Sequence, residues 1–311
     1  MSAVANVFLI GAAKAGTTAL ADILAQHPQI AGMLIKEPGH FCTDLRPQVF
    51  SKAYKRLIQW NEADYFAEAE LAERHIGFVE ERSHYHRLCQ QAQAGKPKAT
   101  YILDASTAYL YSAPAVKELA HYNNKAKIIV LLRNPIDRAW SHYTMALKYG
   151  MESEAPLAAF KREAAMEQAQ WGRDECYLEL GNYAQQLKRW KEKFGEKHLL
   201  VVFHEDLKNT PQKVLNSITE FLDLPTFVAT KVKATNEGSV PKYPKMNALG
   251  MRVVAPIREK LPKEMISVMK KVLQAKAPDL DEDVARWLKQ HYNEEMVALA
   301  NLLNLNLTHW K

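Results

Sequence analysis

Short apolar runs alternate along the chain with segments whose apolar positions recur at helical spacing. The apolar runs predict buried strands at residues 7–10, 30–35, 100–103, 127–132 and 198–203. The segments with helical spacing predict helices at residues 17–26, 135–148, 183–194, 211–222 and 283–303. Strands that alternate with helices in this way predict a mostly parallel sheet with helices on both faces.

No internal repeat and no linker rich in Gly and Ser divides the 311 residues. The polar stretch 226–243 contains Gly238 and Pro241 and therefore predicts a long loop. We predict one α/β domain over residues 1–311.

Composition narrows the class of protein. With 48% hydrophobic and 24% charged residues, the chain is typical of a globular protein and unlike a disordered one. Its 41 Lys and Arg exceed its 35 Asp and Glu. Such an excess suits an anionic ligand, but no basic run is long enough to predict nucleic-acid binding. The 3 cysteines are widely scattered, which argues against a disulfide framework or a zinc site.

The apolar runs also bear on location. None reaches the roughly eighteen residues that a membrane span requires. The apolar start of the chain has no basic region of the kind that precedes the core of a signal peptide. The sequence therefore predicts a cytoplasmic protein.

A loop framed by two glycines joins the first predicted strand to the first predicted helix, with the sequence Gly11-Ala12-Ala13-Lys14-Ala15-Gly16-Thr17-Thr18. Such a loop turns backbone N–H groups toward one anion at the positive end of the helix. Lys14 adds a positive charge, and the two threonines add hydroxyl donors. A P-loop for nucleoside triphosphates has lysine directly after the second glycine. Thr17 has that position here, so the pattern favours a phosphate or sulfate over ATP with Mg²⁺.

A second candidate site follows the predicted strand at 127–132. Arg133 comes directly after it, at the edge where open α/β sheets bind ligands, and Ser141 lies on the next helix. An arginine fork together with a hydroxyl is suited to a second phosphate. We interpret Asp137 and Arg138, which lie between them, as charges on the helix surface.

These two segments resemble those of sulfotransferases that use 3′-phosphoadenosine 5′-phosphosulfate (PAPS). Gly11-x-x-Lys14-x-Gly16-Thr17-Thr18-x-Leu20 is similar to their 5′-phosphosulfate loop, and Leu132-Arg133-Asn134-Pro135-x-Asp137-Arg138-Ala139-x-Ser141 is similar to their 3′-phosphate segment. The resemblance implies one α/β domain with a central parallel sheet of about five strands, related to the nucleotide kinases. It assigns to PAPS, and to its product 3′,5′-adenosine bisphosphate (PAP), the residues Gly11, Ala13, Lys14, Ala15, Gly16, Thr17, Thr18, Arg133, Ser141, Tyr183, Lys242 and Tyr243.

The segment Lys36-Glu37-Pro38-Gly39-His40-Phe41 resembles the KEPxxF segment of the heparan sulfate sulfotransferase branch. The resemblance implies that Glu37 is the catalytic base for the acceptor's proton. Lys14 is then expected to neutralise the leaving group, and His40 to contact the acceptor. The expected reaction is sulfuryl transfer to a hydroxyl or amine of a carbohydrate, a glycolipid or a small-molecule alcohol, with no metal ion.

One loop departs from the pattern of that branch. Its KGRxYP loop is represented only by Val240-Pro241-Lys242-Tyr243-Pro244, without the glycine, the arginine or the flanking cysteines. The departure weakens the assignment of Lys242 and Tyr243 to the cofactor, and with it a glycosaminoglycan acceptor.

Two other functions stay open from the sequence. A P-loop kinase or NTPase would use Asp104, at the end of a predicted strand, as a metal-binding carboxylate. A non-catalytic sensor of adenine nucleotides would bind the same ligand without turnover. Glu37 is the residue that favours an enzyme over the sensor.

Overall fold

The computed structural model describes residues 3–229, 239–241, 274–276 and 278–310. Its strands are β1 Val7–Leu9, β2 Ile30–Gly32, β3 Ile35–Glu37, β4 Arg74–Ile76, β5 Tyr101–Asp104, β6 Lys127–Leu132, β7 Leu199–Phe203, β8 Ser239–Pro241 and β9 Gln274–Lys276. Its α-helices are α1 Thr17–Leu24, α2 Lys52–Ile58, α3 Glu62–Ala67, α4 Arg82–Gly95, α5 Ala108–Tyr111, α6 Ala113–Tyr122, α7 Pro135–Lys148, α8 Pro156–Ala164, α9 Tyr183–Phe194, α10 His204–Asn209, α11 Pro211–Phe221, α12 Glu282–His291 and α13 Asn293–Leu303.

The chain forms two compact units, each assembled from separate segments. The first contains Met1–Gln48, Trp60–Asn134 and Tyr183–Thr235, and the second contains Val49–Gln59, Pro135–Asn182 and Asn236–Lys311. A single domain over residues 1–311 stays a prediction.

The main sheet lies in the first unit and has five parallel strands in the order β2-β5-β1-β6-β7. Strand β1 is central, with Val7 opposite Leu103 of β5 on one side and opposite Lys127 of β6 on the other. The predicted fold class, an α/β protein with a central parallel sheet of about five strands, is confirmed.

Local sequence signals explain β6 and the start of α7, both of which lie where they were predicted. Ile128–Leu132 of β6 are all fully buried (0% exposed), as expected for a strand covered on both faces of a parallel sheet. Pro135 then starts α7, since its fixed φ suits the first helical turn.

The predicted strand at 30–35 is wrong in one respect, because two strands, β2 and β3, take its place. Strand β2 pairs with β5 in the main sheet, whereas β3 pairs in parallel with β4 in a separate sheet. In that small sheet Ile35 lies opposite Arg74, and Glu37 lies opposite Ile76. The partner strand is remote in sequence, so the local apolar pattern does not reveal this sheet. Glu37 is consequently the last residue of a strand.

Helix α7, in the second unit, corrects the interpretation of Arg138. Asp137 is exposed, as predicted, but Arg138 is fully buried (0% exposed). The Arg138 guanidinium donates Nη2 to the main-chain carbonyl of Tyr177. The helix buries the face that carries Arg138, and a backbone carbonyl takes up part of the charge that solvent would otherwise hydrate.

The predicted helix at 283–303 is also corrected, because two helices, α12 and α13, replace it. Tyr292 lies between them with φ −89° and ψ 4° and is fully buried (0% exposed). Its hydroxyl donates to the carbonyl of Leu178 at 2.8 Å. This tertiary contact lies at the break between α12 and α13, which the spacing of apolar residues alone does not predict.

Part of the predicted loop at 226–243 is a strand. Ser239–Pro241 forms β8, which pairs antiparallel with β9. The backbone groups of this polar segment thus find partners far along the chain. Lys242 and Tyr243 lie outside the described residues.

Within the part of the chain that the structure describes, no helix combines the length and the apolar character needed to cross a bilayer.

Candidate active site

Four strands of the main sheet end at the edge that carries the candidate site. Strand β1 leads into residues 11–18, here called the phosphate loop, and β5 leads into residues 105–107. Strand β6 is followed by Arg133, and β7 by His204. The carboxyl ends of parallel strands form the edge at which open α/β sheets bind ligands. All these residues belong to the first unit.

The backbone of the phosphate loop requires two of its glycines. Gly16 has φ +96°, a conformation that residues with a Cβ rarely adopt. A Cβ on Gly11 would lie 2.6 Å from Leu110 Cδ2, so no larger residue fits there. Lys14 also has a positive φ, +70°. Tight turns of this kind direct successive N–H groups into a concavity that binds anions.

The start of α1 has the features of an anion site. No side chain caps the helix at Gly16, and its first turn contains no acidic residue. The positive end of the helix dipole therefore meets no carboxylate from its own first turn. Thr17 is buried (4% exposed), whereas Thr18 is exposed. Backbone N–H groups, hydroxyls and Lys14 make this loop suitable for a phosphate or sulfate.

Two side chains from neighbouring strand ends hold the carbonyls of the phosphate loop. Arg133 Nη1 donates to the carbonyl of Lys14 at 3.0 Å, and His204 Nδ1 donates to that of Ala15 at 2.7 Å. Burial lowers the pKa of His204, and the charge of Arg133 acts in the same direction, so the imidazole is neutral at pH 7. These two hydrogen bonds engage the carbonyl oxygens of Lys14 and Ala15 and connect the loop to the ends of β6 and β7.

Tyr183 is fully buried (0% exposed), and its hydroxyl donates to the main-chain carbonyl of Arg133 at 3.0 Å. The contact supports the backbone of the arginine. Binding of the cofactor by Tyr183 stays a prediction.

The Glu37 carboxylate accepts hydrogen bonds on both oxygens. Lys36 Nζ donates to Oε1 at 2.7 Å. The N–H of Thr107 donates to Oε2 at 3.2 Å, and the Thr107 hydroxyl donates to the same oxygen at 2.6 Å. With 14% of its side chain exposed, Glu37 is largely enclosed but still reachable from solvent.

Opposing effects set the charge state of Glu37. Burial alone raises its pKa, because it penalises the charged form. The positive charge and hydrogen bond of Lys36 and the hydroxyl of Thr107 outweigh burial, so the pKa of Glu37 lies below its ordinary value. The carboxylate is therefore ionised at neutral pH and able to accept a proton.

The segment after β5 holds the chain on both sides of Glu37. The N–H of Ala105 donates to the carbonyl of Lys36 at 3.2 Å. The N–H of Gly39 donates to Ser106 Oγ at 3.0 Å. These bonds connect the backbone on both sides of Glu37 to the residues after β5 of the main sheet, although Glu37 itself lies on β3 of the small sheet.

Asp104, at the end of β5, is fully buried, and both of its oxygens are occupied. Oδ1 accepts the N–H and the hydroxyl of Ser106, at 3.1 Å and 2.6 Å, and Oδ2 accepts the hydroxyls of Tyr85 and Tyr109, each at 2.8 Å. Burial raises the pKa of Asp104 to about 6, although these donors oppose it. A carboxylate engaged by four protein donors anchors structure, which counts against a metal-binding role in a kinase or NTPase.

His40 packs against Tyr85, one of the two tyrosines that donate to Asp104. Its ring stacks on that of Tyr85 with centroids 4.4 Å apart, and its Nδ1 donates to the carbonyl of Val79 at 2.8 Å. Burial lowers the pKa of His40. Its contact with an acceptor stays a prediction, as does the role of Ser141, which lies on α7 in the second unit.

The site also contains side chains to which the sequence assigned no role. Lys36 and Thr107 contact Glu37 directly, and His204 contacts the phosphate loop. His75 of β4 has Nε2 3.7 Å from Glu37 Oε1, and 56% of its side chain is exposed. Lys36 had a signal in the sequence, its position next to Glu37.

The sequence profile of the sulfotransferase family matches residues 6–228. The chain belongs to the sulfotransferase family. The match spans the phosphate loop, Glu37 and Arg133, so the resemblance carried by these motifs is confirmed. The chain is also similar to the solved structure of a sulfotransferase from Alicyclobacillus acidocaldarius, which shares its fold with a TM-score of 0.72 at 20% identity over 99% of both chains.

Curated relatives of this chain include enzymes named for heparan sulfate. It is 25% identical over 230 residues to bifunctional heparan sulfate N-deacetylase/N-sulfotransferase 1 of Caenorhabditis briggsae, covering 71% of this chain and 23% of the relative. It is 24% identical over 228 residues to heparan sulfate glucosamine 3-O-sulfotransferase 6 of Homo sapiens, covering 73% of this chain and 54% of the relative. The chain thus spans between about a quarter and about half of the length of these relatives.

Proposed function

We propose that this sulfotransferase transfers a sulfuryl group from PAPS to a hydroxyl or amine of a carbohydrate, a glycolipid or a small-molecule alcohol. The observation that carries the proposal is the position of Glu37. Lys36 Nζ joins its carboxylate, at 2.7 Å, to the hydroxyl of Thr17 in the phosphate loop, at 3.4 Å. An ionised carboxylate beside an anion site repels the anion, and the ammonium of Lys36, which contacts both, offsets that repulsion. A base at that place is suited to removing a proton next to the bound anion.

The residues of the phosphate loop fit the phosphosulfate end of the donor. When bound, PAPS supplies a sulfuryl group, whose sulfur bonds to the acceptor oxygen or nitrogen as its bond to the phosphate oxygen breaks and leaves the electron pair on PAP. The loop offers N–H groups at the start of α1 together with Lys14, and its carbonyls are held by Arg133 and His204. Lys14 neutralises the charge that develops on the leaving phosphate.

The other candidate residues are assigned either to the acceptor or to the cofactor. Glu37 takes the proton that the acceptor loses, and Arg133 binds the 3′-phosphate. The assignment of Ser141 to the 3′-phosphate stays a prediction from the sequence. Lys242 and Tyr243 keep their assignment to the cofactor as predictions from the sequence. His40 is the proposed acceptor contact. Because the curated relatives are named for heparan sulfate and its glucosamine, sugar hydroxyls and amines are the first acceptors to test.

The test is a screen with radiolabelled PAPS against glucosamine-containing glycans, glycolipids and small alcohols, with wild type and Glu37→Gln side by side. Binding of PAP to each protein is measured by calorimetry. We expect transfer to at least one acceptor class by wild type, a strongly reduced rate for the variant and equal PAP affinity for both. Tight PAP binding without transfer to any acceptor would instead indicate a nucleotide sensor, and Mg²⁺-dependent hydrolysis of ATP would indicate an NTPase.

A further inference from the structure

Lys36 makes three contacts that join separate parts of the site. Its Nζ donates to Glu37 Oε1 at 2.7 Å, to the carbonyl of Ala105 at 3.3 Å and to the hydroxyl of Thr17 at 3.4 Å. Only 13% of its side chain is exposed. One ammonium thus touches the carboxylate, the residue after β5 and the first residue of α1. A lysine that served only solubility would extend into solvent instead.

The hydrogen bonds to Glu37 differ between its two oxygens. Oε2 accepts both the N–H and the hydroxyl of Thr107. Oε1 accepts Lys36 Nζ. A carboxylate has about four acceptor positions, two on each oxygen. The oxygen with a remaining position is therefore Oε1, and an acceptor's proton has to reach the carboxylate there.

The charged groups around Glu37 come from several elements. Lys36, on the same strand, provides the largest favourable interaction with the carboxylate, and His75 of β4 adds a weaker one. Lys14 of the phosphate loop and Asp22 of α1 act electrostatically on His75 in opposite directions. Burial lowers the pKa of His75, which leaves that imidazole neutral at pH 7. Among the residues that the structure describes, the full positive charge in direct contact with Glu37 at neutral pH is therefore that of Lys36.

We propose that Lys36 is the positioning residue of the catalytic base, tying the Glu37 carboxylate to the phosphate loop so that Oε1 is the oxygen that receives the acceptor's proton. The proposal deepens the proposed function and rests on it. It gives one residue two linked effects, because the same ammonium orients the carboxylate and keeps it ionised. Loss of Lys36 should therefore change both the rate and its dependence on pH.

The test uses Lys36→Met, which keeps the length of the side chain without its charge, and Lys36→Arg, which keeps the charge. Lys96→Met is the matched control. Lys96 Nζ also donates to three backbone carbonyls, those of Ala25, His27 and Ile30, at 2.6, 3.0 and 2.9 Å, but not to a carboxylate. Both Met variants lose a partly buried lysine that donates to the backbone, but only Lys36→Met removes the charged partner of Glu37.

The first readout needs no activity and measures the free energy of unfolding between pH 3.5 and pH 7. In wild type the lowered pKa of Glu37 contributes stability above the unfolded-state value of about 4.3, and this is lost as the pH falls through the folded-state pKa. Lys36→Met raises that pKa. The stability gap, meaning the free energy of unfolding of wild type minus that of the variant, should therefore be larger at pH 7 than at pH 3.5. In a Glu37→Gln background the gap should no longer depend on pH, and for Lys96→Met it should be constant.

The second readout is the pH profile of kcat/KM with a competent acceptor. We expect Lys36→Met to lower kcat on the order of 100-fold, as misplacement of a catalytic group does, and to move the acid limb to higher pH. Lys36→Arg should restore the wild-type limb. A wild-type acid limb in Lys36→Met, or a stability gap that does not depend on pH, would overturn the proposal. A pH-dependent gap in a protein that transfers no sulfuryl group would support the coupling and refute the proposed function alone.

Discussion

The guanidinium of Arg133 donates a hydrogen bond to the main-chain carbonyl of Lys14 at 3.0 Å, across 119 positions of sequence. Arg133 is proposed to bind the 3′-phosphate of the cofactor, and Lys14 is proposed to bind its 5′-phosphosulfate. The contact ties the end of β6 to the phosphate loop after β1, so the two proposed phosphate-binding segments are connected before a ligand arrives. Preorganisation of this kind lowers the entropy lost on binding.

Arg133→Ala should damage recognition of the 3′-phosphate. A charge-assisted hydrogen bond contributes on the order of 1.5–3 kcal/mol, which corresponds to roughly tenfold to a hundredfold in affinity. The measurement compares the binding of PAP and of adenosine 5′-monophosphate, which lacks the 3′-phosphate. Wild type should strongly prefer PAP, and the variant should lose most of that preference. If both proteins discriminate equally, Arg133 acts on the loop through Lys14 alone.

Lys14→Ala should slow turnover and weaken cofactor binding. If the lysine neutralises the leaving phosphate, its loss should cost roughly 10²- to 10³-fold in kcat, as the loss of a single oxyanion donor does. Turnover is measured at saturating PAPS, so that weaker binding does not enter the result. Lys14→Arg serves as the control that keeps the charge. Wild-type turnover in Lys14→Ala under these conditions would remove the lysine from the chemical step.

Gly16→Ala should lower both stability and anion binding. A residue with a Cβ pays about 1–2 kcal/mol in the left-handed region, and a Cβ here would lie 3.1 Å from His204 Nδ1, the atom that holds the loop. Gly195→Ala is the matched control, because Gly195 has φ +72° with open space around it. Denaturant unfolding should show a loss of stability in both variants, whereas PAP affinity should fall only in Gly16→Ala. Equal PAP affinity in the two variants would contradict the anion-site assignment.

The contribution of Asp104 to the free energy of unfolding should fall as the pH rises from about 4 to about 6. Burial raises its folded-state pKa from 3.8 to about 6, so over that range the folded chain holds a proton that the unfolded chain has released. Asp104→Asn should remove this dependence, which is checked by urea unfolding at intervals of pH. The stability of wild type relative to the variant should be greater at pH 4 than at pH 7. Parallel pH profiles would show that Asp104 ionises normally.

The sequence predicted those parts of the site that local patterns specify. The phosphate loop follows from its glycines and the helix behind it, and Arg133 follows from its place at the end of a strand. Thr107 and His204 were not predicted, because the hydrogen bonds they make reach across 70 and 189 positions to Glu37 and Ala15. Neither residue type carries a signal for such a contact.

The same limit explains the errors in the fold. The sequence around Arg138 is typical of a charged residue on a helix surface, and only the packing of α7 in its unit shows that this arginine is buried. The sheet of β3 and β4 depends on pairing between Ile35 and Arg74, which no local period encodes. Where an element's own turn signals mark its ends, as for β6 and α7, the predicted and observed bounds agree. Where tertiary pairing decides, they do not.

Glu37→Gln separates a transferase from a nucleotide-binding protein. Glutamine keeps the size of the side chain and can still accept from Thr107, but it removes the proton acceptor. Loss of a general base typically costs about 10²- to 10⁴-fold in rate. We expect kcat to fall by that order while PAP affinity stays near that of wild type.

The control for this variant is His40→Ala, because His40 is the competing base in the same segment. Its ring stacks on Tyr85 and its Nδ1 bonds the carbonyl of Val79, so its removal should affect stability and, through the proposed acceptor contact, the KM for the acceptor more than kcat. Both variants are assayed with one competent acceptor at saturating PAPS, and their unfolding is measured in parallel. Wild type should show an acid limb in kcat/KM below the ordinary range of a glutamate, because Lys36 and Thr107 lower the pKa of Glu37 despite its burial. A nearly active Glu37→Gln enzyme beside a folded but inactive His40→Ala enzyme would transfer the role of base to the histidine.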